Sequence, residues 1–414
     1  MTDISLPRTD GRVTASPGPL AGIDWRVVAV AALTLAGGAA WVGGAVSGRQ
    51  AALYLLGGAL GLVLYHALFG FTSAFRVFIA DRRGAGLRAQ MVMLAVACVL
   101  FFPVLAAGSL FGSPVSGLVA PAGTSVVVGA FLFGIGMQLG GGCASGTLYT
   151  VGGGSTRMVV TLAFFIVGSV LGAWHLPWWQ TQPSLPPTSL VRLWGWPLAL
   201  AAHLAVFAAV YALTRVLEQR RHGRLLERPV EGPLSARLLR GPWPLVWGAV
   251  ALALLNFATL ALAGRPWGIT SAFALWGAKG LALTGIDVAA WPFFQAPAQA
   301  KALQASVLAD VTSVMDFGII LGALLAAGLA GKFAPVWHLP WRSLAAAVIG
   351  GLLLGYGSRL AYGCNIGAYF SGIASGSLHG WLWIVLALAG NWAGTALRPL
   401  FGLEVERTPR QTSC

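Results

Sequence analysis

The sequence predicts an all-α polytopic membrane protein with about ten transmembrane helices, four re-entrant or broken half-helices and two inverted repeats. Three observations carry this. Hydrophobic residues make up 57% of the 414, charged residues only 9%, and mean hydropathy is +0.77. A water-soluble domain of that size lacks the charges to cover its surface. Apolar runs of about 20 residues, the length that crosses a bilayer core, recur along the chain. Two short motifs occur twice, in the same order.

The spans come first. Apolar runs place them near 25–46, 51–69, 88–112, 122–141, 157–176, 191–217, 243–264, 310–331, 342–362 and 380–401. Four segments are too short and too rich in Gly, Ser or Thr for full crossings: 70–80, 142–152, 268–284 and 363–373. Broken backbone survives at membrane depth only where protein or a wet cavity satisfies it, which suits half-helices. Residues 1–24 have no apolar core and read as a cytoplasmic tail, not a cleaved signal.

The net charge of +14 follows the loops, so it points to topology and not to nucleic acid. With the N-terminus inside, 20 of the 26 Lys and Arg residues fall on inner segments. The six outer ones are Arg49, Arg192, Arg265, Lys279, Lys301 and Arg359. This bias predicts both termini in the cytoplasm. The tryptophans gather near span ends, as interfacial belts do.

GFTSAF at 70–75 returns as GITSAF at 268–273, and GIGMQLGGGCASG at 134–146 returns as GYGSRLAYGCNIG at 355–367. The offsets are 198 and 221, so the second copy carries 23 extra residues between its motifs, most simply near 285–309. Each half then reads span, TSAF break, two spans, GC break, span. A single further span lies between the halves. Four spans plus one is odd, so the second unit enters from the opposite face and the repeats are inverted. The chain divides into a cytoplasmic tail (1–24), an extra N-terminal span (25–48), a first repeat (50–176), a linking span and cytoplasmic loop (190–242), a second repeat (243–401) and a cytoplasmic tail (402–414).

Inverted repeats with paired broken helices are the pattern of a transporter site near the bilayer midplane. Half-helix N-termini offer free N–H groups and partial positive charge, which favour anions. Cys143 aligns with Cys364, Gly142 with Gly363, and Gly146 with Gly367. Taken singly, each copy reads as a helix-packing motif around a small buried thiol. Taken as a pair, they read as a substrate path. A thiol is a weak donor with a soft sulfur, suited to a sulfur-bearing ligand more than to a hard oxyanion. Arg359, five residues before Cys364 and aligned with Gln138, is a candidate for the same path, against a structural or snorkelling Arg. Lys279 is a candidate at the outer mouth, against an interfacial lysine. Asp316 and Asn391 read as interhelical polar contacts, and Cys98 as packing. No catalytic residue is assigned. No metal or organic cofactor site is visible, and no GxxxxGK[ST] motif supports direct ATP drive.

The two GCxxG turns, the TSAF breaks and the duplication resemble the YeeE/YedE family of sulfur-transport membrane proteins, over roughly residues 50–400. The resemblance implies uptake of thiosulfate or a related small sulfur-containing anion across the bacterial inner membrane. It implies an hourglass-shaped protein in which cargo passes along cysteine thiols, here Cys143 and Cys364, by S–H···S contacts. Thiosulfate-carrying members have a further pathway cysteine in the second half, whereas no cysteine lies between Cys143 and Cys364 here. The resemblance also implies a soluble partner, a TusA-like sulfur carrier or a rhodanese. Two other readings stay open: a membrane thiol relay enzyme handling persulfide sulfur, and a passive small-anion channel.

Overall fold

The computed structural model describes residues 22–226 and 233–407. Most of the expected N-terminal tail, the end of the C-terminal tail with Cys414, and residues 227–232 of the long loop lie outside that range.

The first half holds α1 (Trp25–Ala45), α2 (Gly48–Ala67), α3 (Phe71–Asp81), α4 (Ala85–Ala107), α5 (Thr124–Gly140), α6 (Ala144–Gly152) and α7 (Thr156–Gln180). The middle holds α8 (Leu190–Trp194), α9 (Trp196–His222) and α10 (Leu234–Arg240). The second half holds α11 (Leu245–Ala263), α12 (Thr270–Ala282), the short α13 (Pro292–Gln295) and α14 (Pro297–Gln304), α15 (Val311–Ala330) and α16 (Trp341–Leu360). A π turn (Asn365–Ser371), α17 (Gly372–Ala374) and α18 (Leu378–Leu397) complete it. Ten helical stretches among the described residues are long and apolar enough to cross a membrane. Strands are confined to two-residue pairs, Ser109–Leu110 with Ser113–Pro114 and Ala122–Gly123 with Ser184–Leu185.

Two spans differ in their limits from the apolar runs. The expected 88–112 ends at Ala107, because Gly108 turns left-handed (φ 74°) into the small hairpin. The expected 191–217 starts at Trp196, after Gly195 and with Pro197 in the first turn, and runs on to His222. Its arginine-rich end stays helical because Glu218 is fully buried there, paired with Arg88 of α4 at 2.6 Å and accepting from the Gly84 and Leu226 amides. Basic side chains also suit a helix C-terminus.

Helix is interrupted at the start of each of the four short segments, and each interruption has a local cause. Leu68 turns left-handed (φ 48°) before α3. Gly140, Gly141 and Gly142 separate α5 from α6, with Gly141 at φ 93°. Pro266 and Gly268 lie between α11 and α12. Tyr362 and Gly363, both at positive φ, lie between α16 and the π turn. The long connection in the second half occupies 283–310, where the first half has only 82–84. It holds α13 and α14, and the Lys279 ammonium ties it down by donating to the Leu303 and Ala305 carbonyls at 2.7 and 2.8 Å.

Packing respects the duplication. α2 lies on α15 and α4 on α11; α7 lies on α16 and α5 on α18; α12 lies on α7 and α3 on α18. α2 also meets α11, and α5 meets α16. Exchanging each helix for its equivalent in the other half maps this scheme onto itself. Helices α1 and α9 stand outside it and bury little of themselves.

Membrane helices gain no hydrophobic drive from meeting one another, so they associate through close packing at small residues. A Cβ on Gly129 would stand 2.7 Å from the Gly357 carbonyl, and one on Gly136 2.9 Å from the Gly350 carbonyl. The α2–α15 crossing uses Gly57 and Gly61 against Met315 and Ile319 in the same way.

Two stability measurements check this account. Gly350→Val meets the Gly140 backbone and should cost about 1–3 kcal/mol, whereas Gly44→Val on α1, with nothing within 4 Å, should be silent. Glu218→Ala strands the buried Arg88 and should cost about 3–5 kcal/mol. Both read as lowered melting temperature of the detergent-solubilised protein; a silent Gly350→Val would refute the close-packing explanation.

Candidate functional site

The site is built where the two GC breaks meet. Cys143 is the N-cap of α6, its sulfur accepting from the Gly146 amide at 3.4 Å and lying 3.3 Å from the Ser145 hydroxyl. Cys364 precedes the π turn in the same way, but no capping bond closes to its sulfur; the Ile366 and Gly367 amides face it at longer range. The first turn after Cys143 is α-helical, with Thr147 N–H donating to the Cys143 carbonyl. After Cys364 the chain widens: both Ala368 and Tyr369 N–H groups donate to the Cys364 carbonyl. Such π turns gather at functional sites. α6 packs on the π turn, so the two cysteines head neighbouring segments, within electrostatic reach of each other. Both are essentially fully buried.

The glycines are there for space. A Cβ on Gly142 would press on Met158 and on the Gly146 backbone, and one on Gly363 would stand 2.7 Å from the Ala368 nitrogen. Gly367 has open space before it, and a cavity of about 410 Å³ ends on Gly363 and Gly367. Arg359, Arg265, Thr270 and Ser271 also line that cavity.

Each half ties its GC break to its own TSAF break through the residue five positions before the cysteine. In the second half, Arg359 Nη2 donates to Thr270 Oγ1 at 2.9 Å. In the first half, Gln138 Nε2 donates to the Thr72 carbonyl at 3.1 Å. Thr72 and Thr270 are equivalent residues of the repeated TSAF motif. The Arg359 stem lies on Gly172 of α7, where a Cβ would be 2.7 Å away. Arg359 is therefore packed in place and lines the cavity.

On the far side of Cys143 the C-terminus of α5 is held by guanidinium groups. Arg157 donates to the Leu139 and Gly140 carbonyls at 2.6 and 2.7 Å, and Arg398 to the Gln138 carbonyl at 2.6 Å. Cations belong at that end of a helix. Arg76 reaches the Gln138 side chain at 3.4 Å and makes a two-bond ion pair with Glu406. That pair holds the Glu406 carboxyl down at about 2.

A chain of aromatic side chains runs beside the Cys364 turn. Trp383 donates to the Gly363 carbonyl at 3.2 Å and stacks on Tyr369, while Phe133, Phe165 and Phe273 continue it. Phe71 and Phe75, beside the first TSAF threonine, pack on Tyr369. Both thiols are buried, where a weak S–H donor counts for more than it does in water.

The structure brings Cys143, Cys364, the four motif glycines and Arg359 into one region. It does not bring Lys279 there, since that ammonium is committed to the 285–309 insertion. Asn391 makes the expected interhelical bond, accepting from Gln138 at 2.5 Å. Asp316 does not: it is fully buried and its carboxylate makes no hydrogen bond. Cys98 packs against α17, its thiol 3.8 Å from the Ile373 carbonyl. Sequence reasoning missed Thr72, Thr270, Arg76 and Glu406 as members of the site. The repeated TSAF motif was the signal for the threonines; Glu406 gave none.

Comparison with known proteins finds relatives named as transporters. A thiosulfate transporter TsuA from Spirochaeta thermophila is 30% identical over 367 residues, 82% of this chain and 96% of that protein. The thiosulfate transporter TsuA of Escherichia coli is 25% identical over 360 residues, 83% of this chain and 93% of that protein. A probable transporter YedE of Escherichia coli is 30% identical over 166 residues, a stretch that is only 40% of either chain. The family profile described as sulphur transport matches residues 66–393, most of the chain and both cysteine turns, and the chain belongs to that family.

Proposed function

We propose that this chain takes up thiosulfate, or a closely related small sulfur-containing anion, across the bacterial inner membrane, and that the anion passes between Cys364 and Cys143. The observation that carries the reading is the convergence of two cysteine-headed turns, one of which ends a cavity holding two guanidinium groups. The relatives named as thiosulfate transporters, aligned over nearly their whole length, support the cargo class.

In this reading both termini are cytoplasmic, as the Lys and Arg bias requires, and the six-element units at 50–176 and 243–401 are inverted. The cavity then faces outward. Arg265 and Arg359 draw the anion in and replace part of its hydration, which a dry passage would otherwise strip at high cost. At the glycine constriction the Cys364 and Cys143 thiols donate in turn to the anion's terminal sulfur. These bonds are weak, so release is as accessible as capture. No bond to the thiol sulfur is made or broken, and the chain is a transporter, not an enzyme. The basic inner face, with Arg76, Arg157 and Arg398, receives the anion, and a TusA-like carrier or a rhodanese in the cytoplasm consumes it.

Uptake of ³⁵S-labelled thiosulfate, in cells lacking other sulfate and thiosulfate importers, tests the path. Cys143→Ala and Cys364→Ala should each cut uptake at least about tenfold at matched expression, the loss expected for an interaction of roughly 1.4 kcal/mol on the path. Uptake that survives both substitutions would return the cysteines to packing. Arg359→Gln should raise the half-saturating thiosulfate concentration roughly tenfold, as loss of a charge-assisted bond does. An unchanged half-saturation would remove Arg359 from the path.

A further inference from the structure

The first-half side of the cysteines holds a guanidinium that the duplication does not provide. The residue equivalent to Arg359 is Gln138, which has no charge, and the residue equivalent to Arg76 is Ala274. Yet Arg76 places its guanidinium on the Gln138 side chain. Each half thereby has one guanidinium at the position five residues before its cysteine, carried by that residue itself in the second half (Arg359) and brought to it by Arg76 of α3 in the first.

The two differ in what they hold. Arg359 bonds a neutral hydroxyl and faces a cavity. Arg76 is bonded through Nε and Nη2 to the two carboxylate oxygens of Glu406, at 2.6 and 2.5 Å. Glu406 comes from 330 positions away, on the segment after the last helix. The Arg76 side chain is only 10% exposed, whereas that of Glu406 is 45% exposed. The guanidinium belongs to the protein interior; the carboxylate reaches it from water. Arg398 and Arg157 stand close by, and Arg398 is within electrostatic reach of both Arg76 and Glu406. Three guanidinium groups thus lie around the Glu406 carboxylate.

We propose that Arg76 is a second anion site, on the inner side of the cysteines, and that Glu406 is an intramolecular occupant that the transported anion displaces. The inference rests on the transport reading above. A guanidinium fork takes two oxygens side by side, and the sulfonate face of thiosulfate offers the same pair as a carboxylate. Exchange is possible because the Glu406 carboxylate is partly exposed, so water can take over its oxygens as the anion takes the fork. The segment 402–407 then acts as a competitor whose local concentration is fixed by its short tether to α18.

Binding of ³⁵S-labelled thiosulfate to the full chain in nanodiscs tests this with four proteins: wild type, Glu406→Gln, Arg76→Gln and the double variant. Glu406→Gln should bind roughly threefold to tenfold more tightly, the gain from removing a partly exposed competing carboxylate. The double variant should bind like Arg76→Gln, because the gain acts through Arg76. Melting temperatures of all four identify any variant that is misfolded, and Arg76→Lys, which keeps the charge but not the fork, replaces Arg76→Gln if that one is. Unchanged affinity in Glu406→Gln, or a gain that persists without Arg76, would overturn the proposal while leaving cysteine-dependent uptake intact. Thiosulfate binding by none of the four would overturn the site outright. Loss of uptake in the cysteine variants is a separate result and bears only on the path.

Discussion

The structure depends on backbones that approach closer than side chains would permit. In lipid there is no gain from hiding apolar surface between helices, so contact has to come from dense packing itself. The α5–α16 crossing shows the requirement most clearly: Gly129 and Gly136 face Gly357 and Gly350 with no room for a Cβ. These two helices end in the cysteine turns. The packing that holds the bundle together therefore also sets how near Cys143 and Cys364 lie. Gly142 and Gly363 of the GC motif and the glycines in the helices before it serve the same end.

Polar groups then fill the gaps that the breaks create. Interrupted helices leave carbonyls and amides without partners, and at the end of α5 named side chains take up those carbonyls. Arg157 and Arg398 answer the end of α5; Arg359 and Gln138 link each cysteine turn to the neighbouring TSAF segment. The cost of the interrupted backbone is offset in part by these side-chain bonds.

Much of this was legible in the chain. Ten apolar runs matched ten helices because length and hydropathy are direct requirements of the bilayer. The breaks were legible because glycine, proline and TSAF interrupt otherwise unbroken apolar text, and the repeated cysteine stood out by its setting. What remained hidden was partnership. Nothing local at Glu406 announces Arg76, since the tail returns to the protein through tertiary geometry alone. Lys279 looked like a mouth residue because its charge was visible, while the carbonyls at 303 and 305 that hold it were not. Asp316 looked like an ordinary interhelical contact, yet its carboxylate makes no hydrogen bond. The π turn after Cys364 also escaped notice, because NIGAYFS carries no feature that favours it over an α turn.

That turn has a consequence for the duplicated unit. Two identical halves related by a twofold would present one affinity to both faces of the membrane. Here the thiol at Cys143 has an amide bonded to its sulfur and the thiol at Cys364 has none, because the wider turn draws the backbone away. An accepted N–H bond fixes the direction of a sulfur, so the Cys143 thiol is the more firmly oriented of the two. The two cysteine turns are thus equivalent in sequence and unlike in geometry: one closes as an α turn and the other as a π turn, a difference of one residue in hydrogen-bond closure.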